Sequence, residues 1–432
     1  MSLAEDLVET DDALLDRFQR AAFGYFIETY NPDNGLSADT TRPGAPASIA
    51  VVGFALSAYP VGVERGWMAR EEAADRTLTA LKFFWNAPQN DGPDATGHQG
   101  LFYHFLDMKT GARVWDCELS PIDTTLLLGG VLTAAVYFDS QDAGETEIRR
   151  LADALYRRVD WAWAQDGRAT VRQGWKPASG FLHYGWEGYS EAILLYALGL
   201  ASPTHPLSDA SYAEWTQTYQ WENIYDHDVL YAGPLFIHQF SHAWVDLNGP
   251  RDPFMRAKNS DYFKNSRRAA WIQREYARRN PHGFAGYDRD GWGVTANDGP
   301  GFKTVHSEGR ERRYFGYAAR GVPYGPDDGT LAPWAPLATL PFAPEIALPA
   351  LRQLCARYPR VVADSKLPSG FNPTLTEDSP DGWISEGYYG LDQGIVVLMV
   401  ENFRSGLIWR LMRQCPYLGA GLRRAGFRGG WL

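Results

Sequence analysis

Residues 181–206 read Phe-Leu-His-Tyr-Gly-Trp-Glu-Gly-Tyr-Ser-Glu-Ala-Ile-Leu-Leu-Tyr-Ala-Leu-Gly-Leu-Ala-Ser-Pro-Thr-His-Pro. The stretch opens polar and aromatic, with His183, Tyr184, Trp186, Glu187, Tyr189, Ser190 and Glu191, and is apolar on every side from Ala192 to Leu200. A helix apolar all round is buried. It is expected to begin at or just before Ser190, with Pro203 and Pro206 beyond its end. Glu191 then sits in or near the first turn of a buried helix. The helix dipole favours its anion and burial favours its neutral form. Opposed effects of this kind tune a carboxyl group for proton transfer near neutral pH. The plain alternative is a capping carboxylate that bonds backbone amides. If the helix starts early, Glu187, four residues before Glu191, shares its face, and each acid raises the other's pKa.

The same unit recurs along the chain: a polar, aromatic loop, an apolar helix, then an amphipathic one. The spacing predicts helices over 11–30, 48–59, 69–86, 121–138, 144–164, 188–200, 209–219, 230–244, 256–279, 342–358 and 388–413. Residues 281–330 read as a long loop-rich stretch with short strands. Roughly eleven or twelve helices result, apolar ones alternating with amphipathic ones, and no strand–helix alternation of the parallel-sheet kind appears. Inner helices of a toroid are buried and outer ones show water one face, so the pattern predicts an all-α fold, an (α/α)6 barrel with long loops forming a cleft on one face. One catalytic domain is expected over 1–432, with short tails at about 1–10 and 416–432.

Aromatic residues make up 14% of the 432-residue chain, with Trp 16 and Tyr 23. Rings in polar loops suit a carbohydrate cleft, whose ligands pack C–H faces on flat surfaces. The net charge of -11 disfavours nucleic acid and anionic membrane surfaces as partners. Arg423, Arg424 and Arg428 are a small basic exception, read as a solvated tail. Three cysteines far apart, Cys117, Cys355 and Cys415, exclude a disulfide framework and a zinc ribbon. Met1–Asp6 lacks a signal-peptide pattern, leaving the cytoplasm or a processed periplasmic form as expectations. No apolar run is long enough to span a bilayer.

Four loops carry the chemistry. The first holds Trp115, Asp116, Glu118, Ser120 and Asp123; Asp123 is either a first-turn cap or a cleft acid, and Glu118 is loop surface or a substrate contact. The second is 181–191. The third, 233–261, holds His238, Gln239, His242, Trp244, Asp246 and Arg251. His238 and His242 have the i,i+4 spacing of metal ligands, but the Glu of a metalloprotease and a third ligand are missing. They are read as hydrogen-bonding histidines of a sugar cleft or a core. The fourth, 381–394, holds Trp383, Glu386, Tyr388 and Asp392, the last either an N-cap or an acid at the mouth of the apolar helix that follows. Asp298, Glu308 and Arg310 are weaker candidates. Phosphate-binding and nucleophile-elbow motifs are absent, so no cofactor is expected. Paired carboxylates with aromatic rings are the set that glycoside hydrolysis requires.

Tyr189-Ser190-Glu191-Ala192, with Leu195-Tyr196-Ala197-Leu198-Gly199 and Ser202-Pro203-Thr204-His205-Pro206 behind it, resembles a signature of the glycoamylase-like domain of bacterial β-1,2-glucanases and cyclic β-1,2-glucan synthases. Gly390-Leu391-Asp392-Gln393-Gly394 with Glu401-Asn402-Phe403-Arg404-Ser405-Gly406-Leu407-Ile408-Trp409 is similar to its C-terminal signature, and Gly233-Pro234-Leu235-Phe236 to a third block. The resemblance implies an (α/α)6 barrel that hydrolyses a β-glucan, β-1,2-linked first. It implies that Glu191 is the general acid and that Asp392 is the base, acting through water with inversion, with Glu386 as substitute. Asp123, Glu187, His238, His242 and Arg251 would position sugar hydroxyls. Trp186, Tyr189, Trp244, Trp292, Trp383 and Tyr388 would stack on sugar faces. The chain departs from the family's acid-x-x-Glu-Thr run: Ser120 replaces the first acid and Asp123-Thr124 replaces Glu-Thr. That departure leaves linkage preference and endo or exo action open. A retaining transglycosylase on the same scaffold and a non-catalytic glucan-binding protein are the alternatives. An oligo- or polysaccharide is the expected partner, without metal, nucleic acid or membrane insertion; the oligomeric state stays open.

Overall fold

The computed structural model describes residues 9–307, 310–377 and 379–432; Met1–Asp6 and Glu308 lie outside the described residues. The described chain is mostly helical: α1 Asp11–Glu28, α2 Ile49–Glu64, α3 Arg70–Asn86, α4 Pro121–Tyr137, α5 Ala143–Arg158, α6 Trp161–Ala164, α7 Ile193–Ala201, α8 Ser211–Thr216, α9 Pro253–Ala257, α10 Tyr262–Arg279, α11 Ala335–Ala338, α12 Pro344–Arg357, α13 Gly390–Arg404, α14 Leu407–Gln414 and α15 Pro416–Arg424. Among the described residues the strands form only two-stranded antiparallel ribbons. No described helix is long and apolar enough to cross a membrane.

The apolar helices lie inside. α4 packs on α2 and α7, α2 on α13, and α13 on α11 and the 3-10 turn Phe240–Ala243. Amphipathic helices back them: α1 on α13, α3 on α2, α5 on α4, α15 on α7, α12 on α11. One contiguous apolar core runs from Leu14 to Phe427. Two glycines set the close crossing of α2 and α4. A Cβ on Gly53 of α2 would lie 2.2 Å from the Leu126 carbonyl oxygen, and one on Gly130 of α4 would lie 2.0 Å from that of Gly53. Backbone therefore meets backbone between these two helices.

Helix starts follow capping chemistry. Ser120 Oγ accepts the Asp123 amide at 3.1 Å, with Pro121 at the first position of α4. The α7 stretch differs from expectation: residues 191–192 form a turn, and the helix begins at Ile193. The predicted helix over 388–413 is two helices, because Gly406 takes a left-handed φ of 70° and ends α13. The predicted helix over 230–244 is instead two short 3-10 turns, Leu235–His238 and Phe240–Ala243. Residues 416–432 are not a loose tail: α15 docks on α7, and the Arg424 guanidinium donates to the Leu200 carbonyl and to Asp209. The region 281–330 contains the hairpin Lys303–Ser307/Arg310–Tyr314. It is anchored by Arg320 and Asp328, both fully buried, which pair at 2.7 and 2.8 Å, while Arg320 also donates to the Asn297 carbonyl at 2.9 Å.

Candidate active site

A cleft of about 870 Å³ opens where inner helices begin. Asp123 is the third residue of α4, Asp392 the third of α13, and Glu191 lies two residues before α7. All three line the cleft. Each sits at the positive end of an inner helix. Its walls carry rings: Phe105, Trp115, Trp186, Tyr317, Trp334 and Tyr389.

Glu191 is held between opposed influences. Burial, with the nearby Asp123 charge, raises its carboxyl from 4.5 to about 7, against its own backbone amide. Asp392 is more extreme. It is 6% exposed, and burial pushes its carboxyl well up, helped by the charges of Asp39 and Asp298 and opposed by a hydrogen bond from Ser369. Its Oδ2 is buried without a hydrogen-bond partner. A donor brought by a ligand would therefore favour the charged form of Asp392. Tyr317 also lines the cleft, and desolvation, with the nearby acids Asp392 and Asp39, pushes its phenol above the ordinary tyrosine range.

A second group lies on the same wall. His104 Nδ1 is 3.0 Å from Glu118 Oε1 and 3.6 Å from Asp123 Oδ2. Ser120 Oγ donates to Asp123 Oδ2 at 2.5 Å. Burial works against the imidazolium, but Asp123, Glu118 and Asp39 outweigh it and raise His104 to about 9. Burial raises Asp39 to about 6. Among the described residues, His104, Glu118 and Asp123 are the one group whose ligand atoms, all within 4.8 Å, could hold a metal ion; an imidazolium proton fills the same electrostatic role.

Of the expected site residues, the fold brings Asp123, Trp186, Glu191 and Asp392 into the cleft. The others lie elsewhere. Glu187 shares no helical face with Glu191, because the helix starts late; its Oε1 accepts from Thr170 Oγ1 at 3.1 Å. Tyr189 packs edge-on to His238, ring centroids 5.1 Å apart. His238 and His242 are core histidines: the first meets the Ala232 carbonyl at 3.1 Å, the second Ser266 Oγ at 3.1 Å. Burial lowers them to about 4 and about 3. Trp244 is fully buried and donates to Ser57 Oγ at 2.8 Å. Trp292 is buried too. Arg251 pairs through its backbone with Arg428. Trp383 and Glu386 line a separate depression of about 680 Å³, joined to the cleft wall through Arg42. Arg42 bridges Asp298 Oδ2 at 2.5 Å and the Glu386 carbonyl at 3.0 Å. Glu386 thus stands apart from Glu191. Tyr388 donates to Asp364 at 3.0 Å. Sequence reasoning missed Asp39, Arg42, His104, Phe105, Tyr317 and Tyr389. The Thr40–Tyr389 bridge that brings the 37–46 loop to the mouth of α13 has no local sequence signal.

Comparison with known proteins follows the same lines. The glycoamylase family model, described as "Putative glucoamylase", matches residues 183–416. The chain is 28% identical over 451 residues to an exo β-1,2-glucooligosaccharide sophorohydrolase (non-reducing end) from Parabacteroides distasonis, covering 96% of this chain and 58% of that protein. The chain thus spans little more than half the length of that curated relative. An endo-β-1,2-glucanase from Chitinophaga pinensis, solved with sophorotriose and glucose, superposes with a TM-score of 0.82 at 25% identity, covering 98% of this chain and all of that one. A crystal structure of a putative glucoamylase from Bacteroides uniformis superposes with a TM-score of 0.87 at 28% identity, covering 98% and 99%. With more than half of its residues matched by one family model over a shared helical fold, this chain belongs to the glycoamylase family.

Proposed function

We propose that this chain is a glycoside hydrolase that cleaves β-1,2-glucan by an inverting acid/base mechanism. The domain is one closed (α/α)6 barrel across the described residues, with the inner helices α13, α2, α4, α7 and α11 and the 3-10 segment forming its wall. The carrying observation is Glu191, a carboxyl raised to about 7 at the rim of a ring-lined cleft. It keeps a proton at neutral pH to give to the leaving glycosidic oxygen. Asp392 is the base. Burial favours its neutral form; sugar hydroxyls or a water donating to its unpartnered Oδ2 favour the carboxylate, which then activates water. The β-1,2 linkage is supported by what the Parabacteroides and Chitinophaga relatives are described as cleaving.

Asp123 is a second reading for the base, favoured by the charge it projects on Glu191. Asp392→Asn and Asp123→Asn separate the two: the true base loses kcat with every substrate. The primary experiment is reducing-sugar release from β-1,2-, β-1,3-, β-1,4- and β-1,6-glucans and starch, with the first-formed anomer read by NMR. Hydrolysis of β-1,2-glucan to the inverted anomer is expected. Glu191→Gln should lower its rate by about 10²-fold or more. Near-wild-type rate in that variant overturns the acid assignment, and retained configuration points to transglycosylation.

A further inference from the structure

One ring of the cleft wall is held in place against local preference. Trp115 lines the cleft and is 68% exposed, unlike Trp244 and Trp292, which fill the core. It stands at the tip of a tight turn. The Cys117 amide donates to the Val114 carbonyl at 3.2 Å, and the two central residues, Trp115 and Asp116, take positive φ of 58° and 48°. That is the φ pattern of a type I′ turn, whose central positions favour Gly, Asn and Asp. Asp116 suits it; a bulky indole does not. Nor does so exposed a ring gain much from burial. Strain of this kind persists where the surroundings over-determine it, and it clusters at ligand clamps. Here the surroundings do fix the turn. The Val114 amide donates to the Phe105 carbonyl at 3.2 Å, Arg113 Nε to the Cys117 carbonyl at 2.6 Å, and the Phe105 amide to Cys117 Sγ at 3.3 Å. The indole leans on Phe105, centroids 5.2 Å apart and planes 57° from parallel, and Phe105 stacks on His104 at 3.9 Å. The result is a fixed aromatic platform beside the water of the cleft.

We propose that Trp115 forms a glucosyl-binding subsite near the mouth of the cleft, which grips the chain away from the bond being cut and makes affinity depend on chain length. The identity of the ligand rests on the hydrolase reading. Asp392 and Asp123 are 6% and 7% exposed and lie deep, whereas the indole is 68% exposed, so the sugar ring on Trp115 is a different ring from the one at the acids. The cleft has room for both: about 870 Å³ is near the upper end of the roughly 300–1,000 Å³ of small-molecule sites. A flat indole packs on the C–H face of a pyranose ring and removes apolar area from water. That contact is the same before and during bond cleavage, so it lowers KM and leaves kcat alone.

The test uses the whole chain and a ladder of β-1,2-glucooligosaccharides of increasing length. Trp115→Asn removes the ring but suits the turn; Trp115→Tyr keeps a flat face. Trp115→Asn should melt at or above the wild-type temperature, because the strain at the turn is relieved. Its KM should rise about three- to tenfold for the longer oligosaccharides at unchanged kcat, with the effect shrinking toward the shortest one cleaved. Trp115→Tyr should restore most of the affinity. A markedly lower melting temperature of Trp115→Asn means that the ring merely holds the loop and overturns the proposal, as does a loss that is equal at every length or absent at all of them. Calorimetric binding of the same ladder to Glu191→Gln, with and without Trp115→Asn, keeps this proposal apart from the hydrolase reading. Long chains bound more weakly without the ring, by a protein whose wild type cleaves no glucan, overturn the hydrolase reading and support the subsite. Cleavage by wild type, with the ladder bound equally by both variants, overturns the subsite alone.

Discussion

Replacing Glu191 by glutamine should make the fold more stable at alkaline pH while removing the proposed acid. The carboxyl rises from 4.5 to about 7 in the folded chain. In the unfolded chain it loses its proton near 4.5; in the folded chain it keeps it until about 7. Between those values unfolding releases a proton, so the contribution of protonated Glu191 is full below 4.5 and is lost as pH rises through 7. Above that the folded state holds a desolvated charge beside Asp123. The gap corresponds to at most about 3 kcal/mol. Glutamine does not titrate, so any packing change it brings is the same at every pH. The stability difference between Glu191→Gln and wild type should therefore move in favour of the variant by up to about 3 kcal/mol between pH 4 and pH 8. Urea unfolding at pH 4, 6 and 8 measures it, with m-values checked for constancy. A difference that does not change with pH, or that favours wild type more at pH 8, would refute the electrostatic account of Glu191.

Other outcomes are equally specific. The wild-type rate should fall about tenfold per pH unit above 7, and Asp123→Asn should shift that limb to lower pH because it removes a like charge; a pH–rate profile of any residual activity checks the direction. Gly53→Ala sets a methyl 2.2 Å from the Leu126 carbonyl, and forcing α2 and α4 apart should cost about 1–3 kcal/mol or more by chemical denaturation. Arg320→Met strands the fully buried Asp328 and should cost about 3–5 kcal/mol, seen as a large drop in melting temperature.

The helices were legible where periodicity carries over three or more turns: α1, α3 and α10 by their amphipathic faces, α2, α4 and α13 by apolar runs. Glu191 and Asp392 stood out because an acid at the mouth of an apolar helix is costly, and cost is visible in sequence. The rest of the site is not local. Asp39, Arg42, His104 and Tyr317 come from loops without period, brought together by single bridges such as Thr40–Tyr389. Aromatic identity was the weakest guide. Trp244 and Trp292 fill core, whereas Phe105, Tyr317 and Tyr389 face the cleft, and nothing in their immediate neighbours tells the two cases apart. The two histidines at helical spacing misled for the same reason: i,i+4 places side chains together but does not say whether they meet water or Ser266.

The docking of α15 on α7 has a consequence for biosynthesis. The segment behind Glu191 is covered by residues translated more than 200 positions later, and α1 likewise waits for α13. While the ribosome is still working, the apolar back of α7 and the face of α1 have no native cover. α7 gains its native cover only after α15 has emerged. A nascent chain halted before Pro416 would then leave that apolar back of α7 exposed, a target for chaperones.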